Sequence, residues 1–195
     1  MTGTEEFLNE ISTNSKDTLL LIRELASFVA FYERLLDKLE LDTLTGLPGS
    51  NKYLDFRAGI EKREAPIGVI VFDVNDLKYY NDAMGHQSGD RLLQKAAESF
   101  HFIIGPNVHI FRTGGDEFVG IIMNCAESDI DSTVAKWQAK LAELNTVNDG
   151  IRCTIAWGTA FGPERLSDLL ALADERMYVE KRRMKESGLR LGEMH

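Results

Sequence analysis

The chain has 195 residues and a formal net charge of −9 at neutral pH, with 44% hydrophobic and 27% charged residues; this composition predicts a globular protein with one full core and an appendage. The acidic balance argues against a nucleic-acid polymer as a partner, because phosphate backbones select basic surfaces, whereas a nucleotide needs only a local cluster of cations. The longest apolar stretch, residues 19–31, is interrupted by Arg23 and Glu24 and is too short and too charged to span a bilayer.

Targeting signals and cysteine usage both predict a protein of the cytoplasm. No signal peptide is visible at the N-terminus. The two cysteines, Cys125 and Cys153, are far apart and lack the spacing of a metal site. We therefore expect two buried free thiols in a reducing compartment.

The N-terminal segment predicts one long helix. Residues 5–40 are rich in Leu, Glu, Lys and Arg and contain no proline. Six apolar residues follow a 3-4-3-4-3 spacing, which is an a/d heptad seam near the lower limit for a coiled coil. Residues 1–40 are thus predicted to form a dimerisation segment; the alternative is an amphipathic helix that packs on its own domain. The seam consists of Ile22, Leu25, Val29, Tyr32, Leu36 and Leu39.

A boundary and a globular domain follow this helix. The turn-forming residues at 42–49 break the helix, so a domain is expected over 41–187 and a C-terminal tail over 188–195. Strands that alternate with helices around one hairpin indicate an α/β (α+β) sandwich of the ferredoxin-like or palm type, with a central antiparallel hairpin. The expected order is helix 50–63, strand 67–73, helices 75–84 and 89–104, strands 108–113 and 117–123, helix 128–144, strand 151–160 and helix 167–185.

The hairpin carries the most informative motif. Residues 112–118 read Arg-Thr-Gly-Gly-Asp-Glu-Phe and lie between two apolar, β-branched runs, which predicts a β-hairpin with the glycines at its turn. Gly114 and Gly115 permit a tight turn and a close approach of a ligand to the backbone. Adjacent strand residues point to opposite faces, so only such a turn aims Asp116 and Glu117 at one site.

A third acid ends the first predicted strand. Residues 67–72 are almost wholly apolar, as in a central buried strand, and Asp73 follows them. A lone acid there is by default a solvated strand end. If the hairpin lies beside this strand, however, Asp73, Asp116 and Glu117 meet, and such a cluster requires a cation or raised pKa values. Oxygen ligands of this kind suit Mg²⁺ or Mn²⁺.

Four motifs occur in a fixed order, and together they carry a family resemblance. They are Asp42-x-Leu44-Thr45-Gly46-Leu47; Asp73-Val74-Asn75-Asp76-Leu77-Lys78 with Asn81-Asp82 and Gly85-His86-x-x-Gly89-Asp90; Gly114-Gly115-Asp116-Glu117-Phe118; and Ala173-Asp174-x-x-Met177-Tyr178-x-x-Lys181. Over residues 41–187 the chain resembles the GGDEF family of diguanylate cyclases, which join two GTP molecules into cyclic di-GMP and release two pyrophosphates.

The resemblance implies a role for each matching residue. Asp73, the Val74 carbonyl, Asp116 and Glu117 would hold two Mg²⁺ or Mn²⁺ ions per GTP site, and Asp73, Asp116 and Glu117 would form the catalytic set, with Glu117 as a proton acceptor. The groups implied to bind substrate are Asn81 and Asp90 on the guanine edge, Lys78, Lys181 and Lys185 on the triphosphate, and Gly114 and Gly115 at the hairpin turn. Each subunit would bind one GTP, so catalysis would need an antiparallel homodimer.

Some basic and turn residues have simpler interpretations. Arg182 and Arg183 are expected on a solvated helix face that complements the helix dipole. His86, which lies beside glycines in a predicted turn, is expected to be structural, and the resemblance assigns it no proton transfer.

Several positions depart from the family pattern. Gly49-Ser50 replaces an Asn-Arg pair, Asn75 replaces an acid, and Leu77 replaces a phenylalanine; none of these is an implied metal ligand. Lys185 replaces an arginine, which keeps the charge but loses bidentate phosphate binding. The family's inhibitory Arg-x-x-Asp would fall at Gly105 and Val108 and is absent, so product inhibition through that site is not expected.

Two other functions stay open on the sequence alone. A non-catalytic GTP-binding or signalling module of the same fold would have lost a metal acid or a guanine contact, and no such loss is visible. A related nucleotidyl cyclase with another base preference would differ at Asp90, because a carboxylate there accepts from guanine N1–H and N2–H₂.

Overall fold

The computed structural model describes residues 18–20, 22–32, 40–61, 63 and 65–188. It contains two compact units, one of residues up to Glu40 and one that begins at Leu41. In the first unit residues 22–32 are helical, within the predicted long helix. The seam residues Leu36 and Leu39 and the tail residues 189–195 lie outside the described residues.

The second unit contains five helices and four strands among its described residues. In chain order they are α1 (Ser50–Ile60), β1 (Ile67–Val74), α2 (Leu77–Met84), α3 (His86–His101), β2 (Val108–Arg112), β3 (Glu117–Ile122), α4 (Glu127–Leu144), β4 (Ile155–Gly162) and α5 (Leu166–Glu186). All four prolines lie in connections between these elements, as expected from their missing N–H groups and fixed φ angles.

The strands form one antiparallel sheet in the order β2-β3-β1-β4. The chain leaves β1 through two helices, makes the β2-β3 hairpin, and returns through α4 to place β4 on the other side of β1. This is the split arrangement of ferredoxin-like domains. The predicted α+β sandwich with an antiparallel hairpin is confirmed.

The two faces of the sheet are covered by different helices. On the first face, α3 and α4 pack against Phe72 and Phe118. The ring centroid of Phe72 lies 4.7 Å from that of Phe100 and 4.9 Å from that of Trp137. On the second face, α1 and α5 pack against smaller residues such as Val69 and Ala160. Side chains that alternate along each strand thus supply two separate cores.

The last strand begins four residues later than predicted, at Ile155 rather than Ile151. Side chains bind the backbone groups of residues 152 and 153, so these residues do not pair with the neighbouring strand. Asn145 pairs through its amide with both the N–H and the C=O of Cys153, at 2.9 and 2.7 Å. The Arg152 N–H donates to the Tyr80 hydroxyl at 2.9 Å.

Both cysteines are free and buried, as expected. Burial raises the pKa of the Cys153 thiol to about 12, so this thiol stays protonated and unreactive at neutral pH. No helix among the described residues is long and apolar enough to cross a bilayer.

Candidate functional site

Two acids meet directly where β1 and β3 lie side by side. The antiparallel register pairs Asp73 with Glu117. Residues opposite each other in such a pair point to the same face, with Cβ atoms about 4.5–5.5 Å apart. Two carboxylates about 4 Å apart repel by roughly 4 kcal/mol at an effective dielectric of 20. The end of this strand pair therefore favours a bound cation.

A lysine from the last helix already supplies positive charge there. The Lys181 ammonium donates to the Asp73 carboxylate at 2.6 Å, and Asp73 is 5% exposed. Lys181 reaches this acid because α5 packs on the second face of the sheet, the face to which Asp73 and Glu117 point. The ion pair partly compensates a buried negative charge that would otherwise be costly.

The third predicted acid, Asp116, lies in the hairpin turn directly before β3. Among the described residues, no group of three or more His, Cys, Asp or Glu side chains is arranged to hold a metal ion. Asp116 precedes β3 and contributes through its backbone, because its carbonyl accepts the Val74 N–H at 2.9 Å. The meeting of the Asp116 carboxylate with Asp73 and Glu117 stays a prediction.

The loop after β1 is held on both sides. The Val74 N–H is bound by the hairpin, and the Asn75 N–H donates to the Thr154 carbonyl at 2.9 Å. Asp76 then adopts a left-handed conformation with φ 64°, which is uncommon for a residue with a side chain. This turn directs the chain from β1 into α2 and fixes the Val74 carbonyl region beside the two acids.

Arg112 anchors the hairpin tip, a role that the sequence motifs did not predict. Its guanidinium donates to the Gly114 carbonyl at 3.2 Å and to the Gly115 carbonyl at 2.7 Å. It also donates to the Asp42 carboxylate at 2.8 Å. Burial alone would raise the pKa of Asp42, but hydrogen bonds from Thr45 and Arg112 outweigh burial and lower it. Asp42 thereby ties the start of the domain to the hairpin.

The hairpin glycines are not needed for a left-handed turn, and only Gly114 is needed for space. Neither Gly114 nor Gly115 has a positive φ. A Cβ on Gly114 would lie 2.9 Å from a carboxylate oxygen of Glu117, whereas a Cβ on Gly115 would meet open space. The absence of a side chain at residue 114 therefore leaves room for the Glu117 carboxylate.

Asn81 and Asp90, predicted to read the base, lie on the neighbouring helices α2 and α3. The Asn81 side chain lies over Gly89, because a Cβ on Gly89 would approach the Asn81 Oδ1 to 2.1 Å. Gly89 is buried, and the next residue, Asp90, is exposed. The sequence predicted a helix start at Gly89, but α3 begins at His86, so Gly89 provides close packing within the helix.

Three further residues singled out in the sequence, Lys78, His86 and Lys185, are exposed on helices. Lys78 is exposed on α2, and Lys185 is exposed on α5 one turn beyond Lys181. His86 is the exposed first residue of α3. Arg183 makes two hydrogen bonds to Glu180, at 2.8 and 2.7 Å, which fits its expected place on a solvated face.

A cavity of about 210 Å³ opens beside Glu117 on the second face. It lies between α1, the hairpin and α5, and Tyr53, Thr113, Glu117 and Asp174 line it together with apolar side chains. Glu117 thus faces space that a ligand can enter, while Asp73 is held by Lys181.

Comparison with known proteins identifies the family. A sequence model of the diguanylate cyclase GGDEF domain matches residues 39–187. The diguanylate cyclase DosC of Escherichia coli K12 is 29% identical over 191 residues, which cover 91% of this chain and 40% of DosC. The chain therefore spans well under half the length of this curated relative.

Solved structures have the same fold. A structure of the diguanylate cyclase SiaD of Pseudomonas aeruginosa, in complex with its activator SiaC, superposes with a TM-score of 0.78 at 21% identity and covers 92% of this chain and 72% of SiaD. The GGDEF domain of DgcB from Caulobacter crescentus, solved in complex with c-di-GMP, superposes with a TM-score of 0.65 at 27% identity. The match covers 73% of this chain and 90% of that domain.

Proposed function

Because this chain belongs to the GGDEF-domain family, we propose that it is a diguanylate cyclase that condenses two GTP molecules into cyclic di-GMP and releases two pyrophosphates. The observation that carries the proposal is the direct cross-strand pair of Asp73 and Glu117, with the Lys181 ammonium 2.6 Å from Asp73. Paired acids beside a cation suit a reaction that handles phosphate groups and a divalent ion.

The donor set fits Mg²⁺ or Mn²⁺. The Asp73 and Glu117 carboxylates and the adjacent Val74 carbonyl are hard oxygen donors, and Mg²⁺ in proteins is commonly held by one or two carboxylates plus substrate phosphates. We include the Asp116 carboxylate in this proposed set, because the Asp116 carbonyl accepts the Val74 N–H at 2.9 Å and thereby holds Asp116 beside the end of β1. When bound, the ion would neutralise charge on the reacting phosphate and make the attacking hydroxyl more acidic.

Base recognition is proposed to come from Asn81 and Asp90. The Asp90 carboxylate would accept from guanine N1–H and N2–H₂, and the Asn81 amide would pair with the acceptors of the same base. Adenine lacks those donors, so Asp90 would face an acceptor and remain unpaired, at a cost of roughly 1–3 kcal/mol or more. The expected result is clear preference for GTP over ATP.

The remaining charged residues act on the reacting groups. Glu117 faces the open cavity and is the proposed acceptor of the proton from the ribose 3′-hydroxyl. Lys78, Lys181 and Lys185 would neutralise the triphosphate and the departing pyrophosphate. Each domain would hold one GTP, and the 3′-hydroxyl of each GTP would attack the α-phosphate of the other.

We also propose that the N-terminal helix brings two subunits together, in the cytoplasm where GTP is available. The described seam residues are largely exposed, at 57% for Ile22, 61% for Leu25 and 47% for Val29. Burial of an aliphatic side chain contributes roughly 1.5–3 kcal/mol, so such a seam favours association. Charges at Val29 and Leu36 should shift the chain towards monomer and make specific activity steeply dependent on concentration.

A matched control for the dimer test is Leu20→Glu. Leu20 is 58% exposed and lies outside the heptad seam, so its substitution should leave the dimer intact. Light scattering measures the mass in each case. A stable, fully active dimer of the Val29→Glu/Leu36→Glu variant at low concentration would show that the helix is not the dimer contact.

The central experiment is incubation with GTP and Mg²⁺ followed by mass spectrometry of the products. We expect cyclic di-GMP and pyrophosphate, and no comparable product from ATP. The alternative is a signalling module that binds GTP without turnover. The observation that favours this alternative is the Lys181–Asp73 ion pair, because a lysine bound to Asp73 competes with a metal ion for that carboxylate. Calorimetry with a GTP analogue separates the two: binding without product at any protein concentration would establish the module and exclude the cyclase.

A further inference from the structure

The short helix α2 is anchored in the domain by one fully buried side chain. Every residue of α2 is described, and Tyr80 is the only buried one among the eight. Tyr80 is 1% exposed, and its ring lies in the first core. A helix of two turns is marginal by itself in water, so the position of α2 depends on this anchor.

The Tyr80 hydroxyl binds both backbone groups of Arg152. It accepts the Arg152 N–H at 2.9 Å and donates to the Arg152 C=O at 3.3 Å. Burial raises the pKa of the Tyr80 hydroxyl, so the hydroxyl stays protonated at neutral pH and can donate. A phenylalanine would fill the same space in the core and lose only these two hydrogen bonds.

The segment that receives the hydroxyl is itself fixed on both sides of Arg152. On one side, the Lys95 ammonium donates to the Ile151 carbonyl at 2.6 Å. On the other side, the Asn145 amide binds the N–H and the C=O of Cys153 at 2.9 and 2.7 Å. Side chains of α3 and α4 therefore hold the partner in place, so the hydroxyl bonds fix α2 relative to a rigid segment.

The same segment connects the two helices that carry the proposed base-reading residues. The residue after Tyr80 is Asn81, whose side chain lies over Gly89 of α3, because a Cβ on Gly89 would approach the Asn81 Oδ1 to 2.1 Å. Asp90 follows Gly89 on α3, and Lys95 ties that helix to residues 149–151. Tyr80 and Lys95 thus set the separation of α2 and α3.

We propose that Tyr80 is a positioning residue for base recognition, whose hydroxyl holds Asn81 where its amide can pair with guanine. The hydroxyl itself is directed at the Arg152 backbone and acts through Asn81. Hydrogen bonds weaken steeply with poor distance and angle, so a small displacement of α2 would weaken the contact of Asn81 with the base. The inference rests on the proposed function only in that Asn81 binds GTP, and it requires no turnover.

The test is the affinity for guanosine 5′-[α,β-methylene]triphosphate, a GTP analogue that is not cleaved between its α- and β-phosphates, measured by calorimetry with Mg²⁺. Tyr80→Phe should weaken binding roughly fivefold, which corresponds to one hydrogen bond. The matched control is Tyr79→Phe, because Tyr79 is the adjacent tyrosine and is 38% exposed; it should bind as the wild type does. Circular dichroism checks that each variant is folded at the temperature of the titration.

A double-mutant cycle with Asn81→Ala shows whether Tyr80 acts through Asn81. Asn81→Ala alone should weaken binding, and the addition of Tyr80→Phe should then change the Kd by less than about twofold, because no amide is left to misplace. Unchanged affinity of the folded Tyr80→Phe variant, or its full effect in the Asn81→Ala background, would overturn this inference and would not affect the proposed function. Failure of the wild type to bind the analogue would overturn both.

Hydrogen exchange of the wild type gives a test that does not require the variant to fold. The Arg152 amide proton is bound by the Tyr80 hydroxyl. Because coupling between two sites is reciprocal, bound analogue should slow the exchange of this proton by roughly the same fivefold factor. The Val147 amide, which donates to the Leu144 carbonyl, should exchange equally with and without the analogue. An unchanged exchange rate at Arg152 would overturn the inference.

Discussion

The two faces of the sheet use alternate residues of the same strands for different purposes. Along β1, Ile70, Phe72 and Val74 join the first core. Val69 and Asp73 point to the other face, where Val69 joins the second core and Asp73 ends the strand as a buried acid. The first face is apolar to the end of the strand, whereas the second face ends in charge.

The first face is therefore expected to stabilise the fold, and the charged end of the second face is expected to serve the chemistry. Large rings fill the first face, and Phe100 lies 4.7 Å from Phe72 and 5.0 Å from Phe118, between ring centroids. The second face is covered by α5, which brings Lys181 to Asp73. Substitutions on the first face should therefore change the free energy of unfolding, and substitutions at the charged end of the second face should change turnover.

The largest effect is expected from Glu117→Gln. The side chain keeps its size and loses the charge that would hold metal and accept a proton, so product formation should fall by at least about 10³-fold, or roughly 4 kcal/mol. The melting temperature should stay within a few degrees of the wild type, because Glu117 is exposed. Cyclic di-GMP is quantified by mass spectrometry at saturating GTP. Normal turnover would contradict the role of the acid pair.

The matching change on the first face is Phe100→Ala. Phe100 is fully buried, and loss of a buried ring costs about 3–5 kcal/mol of unfolding free energy. Urea denaturation measures this, with Phe102→Ala as control, because Phe102 is 59% exposed in the same helix-end region. Under conditions where the variant is folded, turnover should be close to wild type. Equal destabilisation by both substitutions would show that the ring cluster is not the main core.

A smaller effect should follow from Arg112→Gln, because it acts on the hairpin only through the Gly114 and Gly115 carbonyls. Loss of these charge-assisted bonds should cost roughly 1–3 kcal/mol of stability and should lower turnover with little change in the affinity for GTP. Asp42→Asn should have part of the same effect. A double-mutant cycle measures their coupling, and strict additivity would show that Asp42 does not act through Arg112.

The smallest effect is a pH dependence at His109. Its ring packs against Phe56 in a tilted arrangement, with 4.6 Å between the ring centroids, and burial lowers the pKa of His109 below the ordinary value of 6.5. A depressed pKa means that the folded state prefers the neutral ring, so this contribution to stability is present above pH 6.5 and is lost as the pH falls towards the lower folded pKa. His109→Phe should therefore show a smaller drop of the denaturation midpoint between neutral and acidic pH than the wild type. If both proteins have the same pH profile of the midpoint, His109 does not contribute to it.

The sequence predicted the elements because their patterns are local. The apolar run at residues 67–72 and the paired runs around the hairpin predicted β1, β2 and β3 to within one or two residues. The start of β4 was wrong, because Asn145 binds the Cys153 backbone from eight residues away. That competition for backbone hydrogen bonds leaves no trace in the local apolar pattern.

The sequence predicted residues of the candidate site, and the structure shows how they are arranged. The motifs named Asp73, Glu117, Lys181, Asn81 and Asp90, and the structure brings the first three together at one end of the second face. The convergence of the Asp116 carboxylate with them stays a prediction, because strand register sets the Asp73–Glu117 pair and Asp116 precedes the strand. Arg112 was missed, since its role depends on Asp42, which lies 70 residues earlier.

The sequence by itself therefore determined the family, the order of helices and strands, and the chemical groups available for phosphate chemistry, because motif spacing and apolar periodicity are written along the chain. Only the tertiary structure decided that Asp73 lies opposite Glu117, that Lys181 reaches Asp73, and that Arg112 holds the hairpin turn. These contacts join residues far apart in sequence, and antiparallel register and helix packing, which set them, are properties of the folded sheet.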